Sequence, residues 1–300
     1  MAERTVAVVG LGNIGSSIGM LLVRGGFEVT GFDVREDAVR ELEENGGRPA
    51  PDPGTAAANA DVVVTCLPSE QALGNVLDAL VPHLHGKTLI ETSTLALTAK
   101  QDAYDRVVAA GGHIVDSPLS GTAMQARDGD VIAYTSADEG VTDEVRDVLD
   151  GFTRAWYPMN PFGTATKMKL VANLLVAVHN VAAAEALVLA QKAGLDLNHA
   201  VEVLADGAGS SRMLQVRGPM MANGTYDQPG MNNRVFMKDV SIITEFARDL
   251  DVPIPLLAST APIYSSAIAH GWSDADTASV YTVLANLAGI DPVPATEESR

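Results

Sequence analysis

Cysteine occurs once, at Cys66, which excludes an intrachain disulfide and any cysteine-rich metal site. Its neighbours VVVT and LP are strand-like, so a core cysteine is expected rather than a reactive one. Basic residues are scarce: 20 Lys and Arg stand against 38 Asp and Glu, a formal net charge of −18. Nucleic-acid affinity rests on lysines and arginines that neutralise phosphates, so no such partner is expected. Docking on an anionic membrane surface is disfavoured on the same ground. A long unbroken apolar run is also missing. The most apolar stretch, 170–190, is interrupted by Asn173, His179, Asn180 and Glu185, which favours a buried helix over a membrane span. MAERTVAVVG enters a strand-like run with no signal-peptide pattern, so a cytoplasmic location is expected. No metal is expected either, because His83-Leu-His85 sits beside Gly86 with no third ligand in view. There is no internal repeat and no low-complexity segment. What is present is core material, 47% apolar residues with 19% charged, enough for one large or two medium domains.

The first half carries a nucleotide-binding pattern. The run TVAVV (5–9) leads into Gly10-Leu11-Gly12-Asn13-Ile14-Gly15, then a helix-like SSIGMLLVRGG and a second strand EVTGF that ends at Asp33. The three glycines would serve a tight turn, close approach of backbone to a pyrophosphate, and close packing of helix on strand. The helix N-terminus would supply N–H groups to the phosphates. Glycine-rich turns are common, but this one follows a strand, opens a helix and has an acid 18 residues after its last glycine. Asp33 can accept from both ribose hydroxyls of NAD and would repel a 2′-phosphate, so NAD is expected, with NADP as the alternative. Val34, next along, is also expected on the cofactor side. Arg35 could stack on adenine or partly restore NADP binding, or be a solvated first-turn residue.

Strands and helices then alternate. Strand-like runs are VVVTCLP (62–68), KTLIETST (87–94), HIVDSPLSG (113–121) and VIAYTS (131–136); helices are expected at 69–80 and 141–152. Thr98 and Gln101 have capping-box spacing for a helix through Ala110. Such alternation implies a doubly wound parallel sheet whose ligands sit beyond the carboxyl ends of the strands. That rule selects Leu67, Pro68, Thr94 and Ser120-Gly121-Thr122 as residues facing the cofactor. The expected class is α/β, with a Rossmann-type domain over 1–160.

Tyr157-Pro158-Met159-Asn160-Pro161 reads as a linker, after which the pattern turns helical. A long helix is expected from about 164 to 193, with Gly194 ending it, and further helices over 198–205, 238–250, 256–270 and 274–288. The segment 207–236 reads as loop-rich; its Arg212, Arg217 and Arg234 could each help hold an acid group, but each reads first as a surface charge. The tail DPVPATEESR is expected to be loose. An all-helical second domain, 164–300, thus begins with a long interdomain helix.

In ATKMKLVANLL (165–175), Lys167 and Lys169 project about 200° apart on a helix, so they cannot line one pocket. Lys169 and Asn173 are i and i+4 and share a face. Burial lowers a lysine's pKa and suits it to acid/base work near neutral pH. Spacing alone leaves a second reading open, that both lysines snorkel to water from the helix start.

Four segments occur in order: Gly10–Gly15, Asp116-Ser-Pro-Leu-Ser-Gly121, Lys169-Leu-Val-Ala-Asn173 and Phe236-Met-Lys-Asp239. Together, with AAAEALVLAQKAGLDL (182–197), they resemble the β-hydroxyacid dehydrogenases, the family of 3-hydroxyisobutyrate dehydrogenase and tartronate semialdehyde reductase, over essentially the whole chain. The resemblance implies hydride transfer between a nicotinamide cofactor and a short 3-hydroxy acid or its semialdehyde. It assigns Lys169 as general acid/base and Asn173 as its orienting partner. It puts Ser120, Gly121 and Thr122 on the substrate carboxylate, Thr94 on the cofactor and Lys238 near the nicotinamide; Asp239 would support the polar network. Two departures stand out: Thr122 replaces the usual glycine, and Leu97 the usual proline. A homodimer or homotetramer is implied too. Alternatives are an imine reductase-like enzyme, which shares the architecture but often has Asp or Tyr where Lys169 stands, and a silent nucleotide-binding scaffold. The related 6-phosphogluconate dehydrogenases are considerably longer.

Overall fold

The computed structural model describes residues 4–227 and 230–292. Residues 293–300, most of the expected loose tail, lie outside them. The chain divides into two compact units with the seam between Lys169 and Leu170.

The first unit runs β1 (Thr5–Val9), α1 (Asn13–Arg24), β2 (Glu28–Phe32), α2 (Glu36–Glu44), β3 (Arg48–Pro49), α3 (Pro53–Ala58), β4 (Val62–Thr65), α4 (Glu70–Leu80), β5 (Thr88–Glu91), α5 (Leu97–Ala109), β6 (His113–Asp116), β7 (Leu119–Ser120), α6 (Ala123–Arg127), β8 (Ile132–Thr135), α7 (Val141–Glu144), α8 (Arg146–Phe152) and β9 (Ala155–Pro158). Six strands form a parallel sheet in the order β3-β2-β1-β4-β5-β6. Side chains alternate faces along each strand. Val6, Val8, Val62 and Val64 therefore pack with Ile18, Leu22 and Phe152 on one side. Ala7, Val9, Val63 and Leu89 pack with Leu73, Leu77 and Leu80 on the other. With both faces covered, β4 and β5 are buried at every residue, and the Val62–Val64 run of β4 is apolar throughout. The strand order reverses between β1 and β4, and a ligand crevice is expected at that switch point.

Three local expectations are corrected. The segment 131–136 does not extend the doubly wound sheet: β8 pairs antiparallel with β7 and parallel with β9 in a separate three-stranded sheet. The expected linker begins inside β9, whose edge position tolerates Pro158 because no ladder donor is needed there. Helix α5 starts at Leu97 with Ala96 as N-cap, so Thr98 falls inside the first turn and cannot cap it. Gln101 instead bonds to Asp105.

The long helix α9 (Thr164–Lys192) crosses the seam. The second unit continues with α10 (Leu197–Asp206), α11 (Arg212–Asn223), α12 (Asn233–Asp249), α13 (Pro255–Ala269) and α14 (Val280–Leu287) around one core that includes Leu187, Met221, Phe236, Ile243, Tyr264 and Tyr281. By length and composition α9 could cross a membrane. Its buried Asn180, however, donates to Tyr264 Oη and the Thr277 carbonyl inside this unit. Helix α11 occupies part of the segment expected to be loop-rich: Ser211 caps it and Gly224 ends it in the left-handed region, while the internal Pro219 masks it in the sequence. Arg217 is correspondingly not a surface charge. It is 3% exposed, and its Nε lies 2.9 Å from Asp276.

Candidate active site

At the switch point the glycines of the first turn separate by what they touch. A Cβ on Gly10 would lie 2.3 Å from the Cys66 carbonyl oxygen, and one on Gly15 would lie 1.8 Å from the Gly10 oxygen. A Cβ on Gly12 would meet nothing within 4 Å. Gly10 and Gly15 are thus needed to close the fold, whereas Gly12 keeps a space open at the start of α1, which it caps without a side chain. A pyrophosphate accepting from helix-terminal N–H groups fits that space. Leu11, Asn13, Ser16 and Arg35 line it with Gly12. Leu11 is fully buried, so only its backbone is offered; Asn13 is exposed and Ile14 half-buried.

This contrast yields an expected outcome. Gly12→Ala should fold normally and lose cofactor affinity, while Gly15→Ala should lose the folded state. Thermal denaturation paired with NADH fluorescence titration checks both. Equal affinity in Gly12→Ala and the parent would mean that no ligand approaches there.

Asp33, at the end of β2, accepts from Leu11 N at 2.7 Å and from Arg35 N at 2.9 Å. Each carboxylate oxygen retains acceptor capacity for a ribose hydroxyl. Arg35 donates from Nη2 to the Leu11 carbonyl at 3.0 Å and holds Nε 3.5 Å from Asp33, so it is neither wholly solvated nor free to leave the turn. Val34 is 88% exposed beside it. Beyond β4, Leu67 N donates to Ser93 Oγ at 2.8 Å and Pro68 is exposed; Thr94, beyond β5, is half-buried.

Beyond β6 the segment 116–122 leads through β7 to the start of α6. Gly121 adopts φ +153°, and a Cβ there would press to 2.6 Å from Val131 Cγ1, so glycine is required. Thr122 does not keep its donor for a ligand. It caps α6 in a capping box, its N–H donating to Gln125 Oε1 at 3.0 Å while its hydroxyl accepts from Gln125 N. The capping box ties Thr122 to α6, while Ser120 and Gly121 precede it in the same loop. A helix start makes its own demand on a threonine at that position.

A charged cluster unanticipated in the sequence lies beneath these loops. Lys100 is fully buried, in contact with Glu91 and 3.0 Å from Asp116, both carboxylates also fully buried. Burial by itself would push the Lys100 ammonium below the usual range, but the facing Asp116 and Glu91 carboxylates outweigh it and hold it above. A signal was legible: Lys100, Ala103 and Val107 share one stripe of α5, so the lysine stands on the core face.

On α9, Lys169 is buried and Lys167 exposed. One turn after Lys169, Asn173 is 4% exposed and donates Nδ2 to Asp239 Oδ2 at 2.9 Å. Lys238 Nζ lies 3.3 Å from Asp239 Oδ1. Asp239 thereby orients the amide: with nitrogen committed, the Asn173 oxygen is the end that can receive a donor. Among the described residues no group of three or more His, Cys, Asp or Glu could hold a metal ion.

Comparison with known proteins identifies the family. Residues 5–160 match the family model described as the NAD binding domain of 6-phosphogluconate dehydrogenase. Residues 163–284 match the model described as the NAD-binding of NADP-dependent 3-hydroxyisobutyrate dehydrogenase. The chain is 29% identical to an L-threonate dehydrogenase of Cupriavidus necator over 287 residues, 94% of this chain and 96% of that protein. It resembles a crystal structure of 3-hydroxyisobutyrate dehydrogenase from Salmonella typhimurium with a TM-score of 0.85 and 27% identity, covering 93% of this chain and 99% of that one. The Mycobacterium tuberculosis 3-hydroxyisobutyrate dehydrogenase, solved with L-serine, gives 0.85 and 26%, covering 94% and 99%. With the dinucleotide cradle, the helical second unit and a matching family model over more than half its length, the chain belongs to the β-hydroxyacid dehydrogenases and is an NAD(P)-dependent enzyme acting on a hydroxy acid.

Proposed function

We propose that the enzyme interconverts a short 3-hydroxy acid and its semialdehyde, with Lys169 as general acid/base. The observation that carries this is a buried lysine one helical turn before an asparagine whose amide is held by a buried carboxylate. In the oxidising direction neutral Lys169 accepts the proton of the substrate hydroxyl. In the reducing direction its ammonium returns that proton to the oxygen of the developing alkoxide. The Asn173 oxygen, turned away from Asp239, receives a donor from the ammonium or the substrate hydroxyl. Ser120 and Gly121 hold the carboxylate by hydroxyl and backbone N–H, and α6, capped by Thr122, limits the room beside it. Gly10–Gly15 and Asp33 would hold the dinucleotide, with Leu67, Pro68, Thr94 and Lys238 also toward it. The bound nicotinamide supplies the hydride chemistry. Asp33 favours NAD over NADP, because a 2′-phosphate would meet its carboxylate.

The test is a spectrophotometric screen of 3-hydroxyisobutyrate, L-threonate, L-serine and short semialdehydes, each with NAD(H) and NADP(H). Turnover of a 3-hydroxy acid with NAD(H) is expected. Cofactor binding without turnover of any acid would overturn the substrate class, and faster turnover with NADP(H) would overturn the role given to Asp33.

Self-association fits the same reading. Val171, Leu175 and Leu189 are 51%, 49% and 71% exposed on α9. Val171 and Leu189 are five full helical turns apart and so share one azimuth, with Leu175 about 40° away. Such a stripe suits a second copy of the chain. Light scattering should give a dimer or tetramer for the parent and a smaller species for Leu189→Glu; identical masses would refute this interface.

A further inference from the structure

Helix α9 has no capping side chain at the residue before it, Gly163, yet the first amides of the helix all find acceptors. Thr164 N donates to the Pro161 carbonyl at 3.1 Å and Ala165 N to Ser136 Oγ at 3.1 Å. Thr166 N donates to Asp116 Oδ2 at 2.8 Å, while the Thr166 hydroxyl donates to Asp116 Oδ1 at 2.7 Å. The cap is thus supplied from the far ends of β6 and β8. A carboxylate at that place also complements the positive end of the helix dipole.

Asp116 is tied in turn on every other side. Its N–H donates to the Ser136 carbonyl and its own carbonyl accepts from Ser136 N, both at 2.9 Å. Lys100 Nζ lies 3.0 Å from Oδ1. Behind Lys100, Glu91 accepts from Ser93 N at 3.0 Å, so the same cluster fixes the turn that leads to Thr94. Asp116 is also the residue from which the chain enters the loop of Ser120 and Gly121. Lys169 stands three residues beyond Thr166, about 4.5 Å along the axis.

We infer that Asp116, acting through Thr166, is a positioning residue for the reaction: it sets the start of α9, and with it Lys169, relative to the loop that presents Ser120 and Gly121. The inference rests on the reading of Lys169 as acid/base. A backbone cap alone would need one oxygen; the two-point grip on Thr166 N–H and hydroxyl also fixes the rotation of the helix about its axis. Misplacement of a catalytic group by 1 Å can cost about 10²-fold in rate, so small shifts of this anchor are visible in turnover.

Thr166→Val removes the hydroxyl while keeping the backbone donor and the residue's shape, and Thr166→Ser retains the hydroxyl. Both are compared with the parent and with Lys169→Ala, using 3-hydroxyisobutyrate and L-threonate as oxidation substrates, NADH fluorescence for cofactor affinity, and thermal denaturation. The expected result is a fall in kcat of about tenfold for Thr166→Val, with KM and NADH affinity changed far less and Thr166→Ser near the parent. A lowered melting temperature with kcat per folded molecule unchanged would overturn the inference, leaving Asp116 a structural cap. So would a Thr166→Ser variant as slow as Thr166→Val. If Lys169→Ala is inactive and Thr166→Val is at parental rate, only the positioning role fails. If Lys169→Ala is itself fully active, the acid/base reading fails first. Asp116→Asn, provided it folds, should lose more kcat than Thr166→Val, because both oxygen contacts to α9 are weakened at once.

Discussion

Lys169→Ala should lower kcat by about 10²–10⁴-fold in both directions while NADH still binds, the range typical of a positioned proton-transfer group. Alanine removes the proposed proton carrier and leaves the dinucleotide turn at Gly10–Gly15 untouched. Both directions must suffer, because one amine takes the proton in oxidation and returns it in reduction. Lys167→Ala is the internal control. Its side chain is exposed on the opposite side of the same helix turn, so its rate should stay close to the parent. Steady-state kinetics on the best substrate of the screen, run in both directions, decides the matter. Full activity of Lys169→Ala in either direction would sink the assignment.

Lys100→Met should destabilise the protein by about 3–5 kcal/mol, the usual consequence of removing one partner from a buried ionic group. Methionine is unbranched and comparable in bulk, so the loss comes mainly from the buried Glu91 and Asp116 carboxylates left without their cation. At roughly 2–4 °C per kcal/mol for a domain of this size, the melting temperature should fall by on the order of 10 °C. The pH dependence has a definite sign. Lys100 is held above the usual lysine value in the folded protein, so its stabilisation is fully present below about pH 10.4 and is lost as pH rises through the folded value. The gap between parent and variant should therefore be constant from neutrality to about pH 10 and narrow above it. Combining Lys100→Met with Glu91→Gln should recover part of the loss, since one of the stranded charges is gone. A melting temperature within about 2 °C of the parent at neutral pH would show that the cluster is not held by charge pairing. The effect should also reach activity, because Asp116 grips the first turn of α9 through Thr166.

Several features were readable one segment at a time. The glycine turn after TVAVV, the acid at the end of EVTGF and the apolar run of β4 each announce a parallel sheet, because a strand buried on both faces needs no partner to reveal itself. The opposed directions of Lys167 and Lys169 follow from the helical repeat alone, and the structure has one exposed and the other buried. What those segments do not carry is the identity of partners far along the chain. That Thr122 caps α6 shows only once its N–H is seen to donate to Gln125. Arg217 reads as a surface charge until Asp276, 59 residues away, comes to its side.

The sequence by itself therefore determined the α/β character of the first 160 residues, the helical character of the rest, the dinucleotide turn and the opposed directions of Lys167 and Lys169. All of these depend on local periodicity or on spacing within a single element. Only the tertiary structure decided that Lys100 is buried between two carboxylates, that β8 leaves the main sheet for a small one of its own, and that Asp239 turns the Asn173 amide across 66 residues of chain. It also decided that α9 is capped by Asp116, 50 residues before it. The reason is physical. A buried charge or an uncapped helix end is tolerable only when a partner satisfies it, and that partner is chosen by packing.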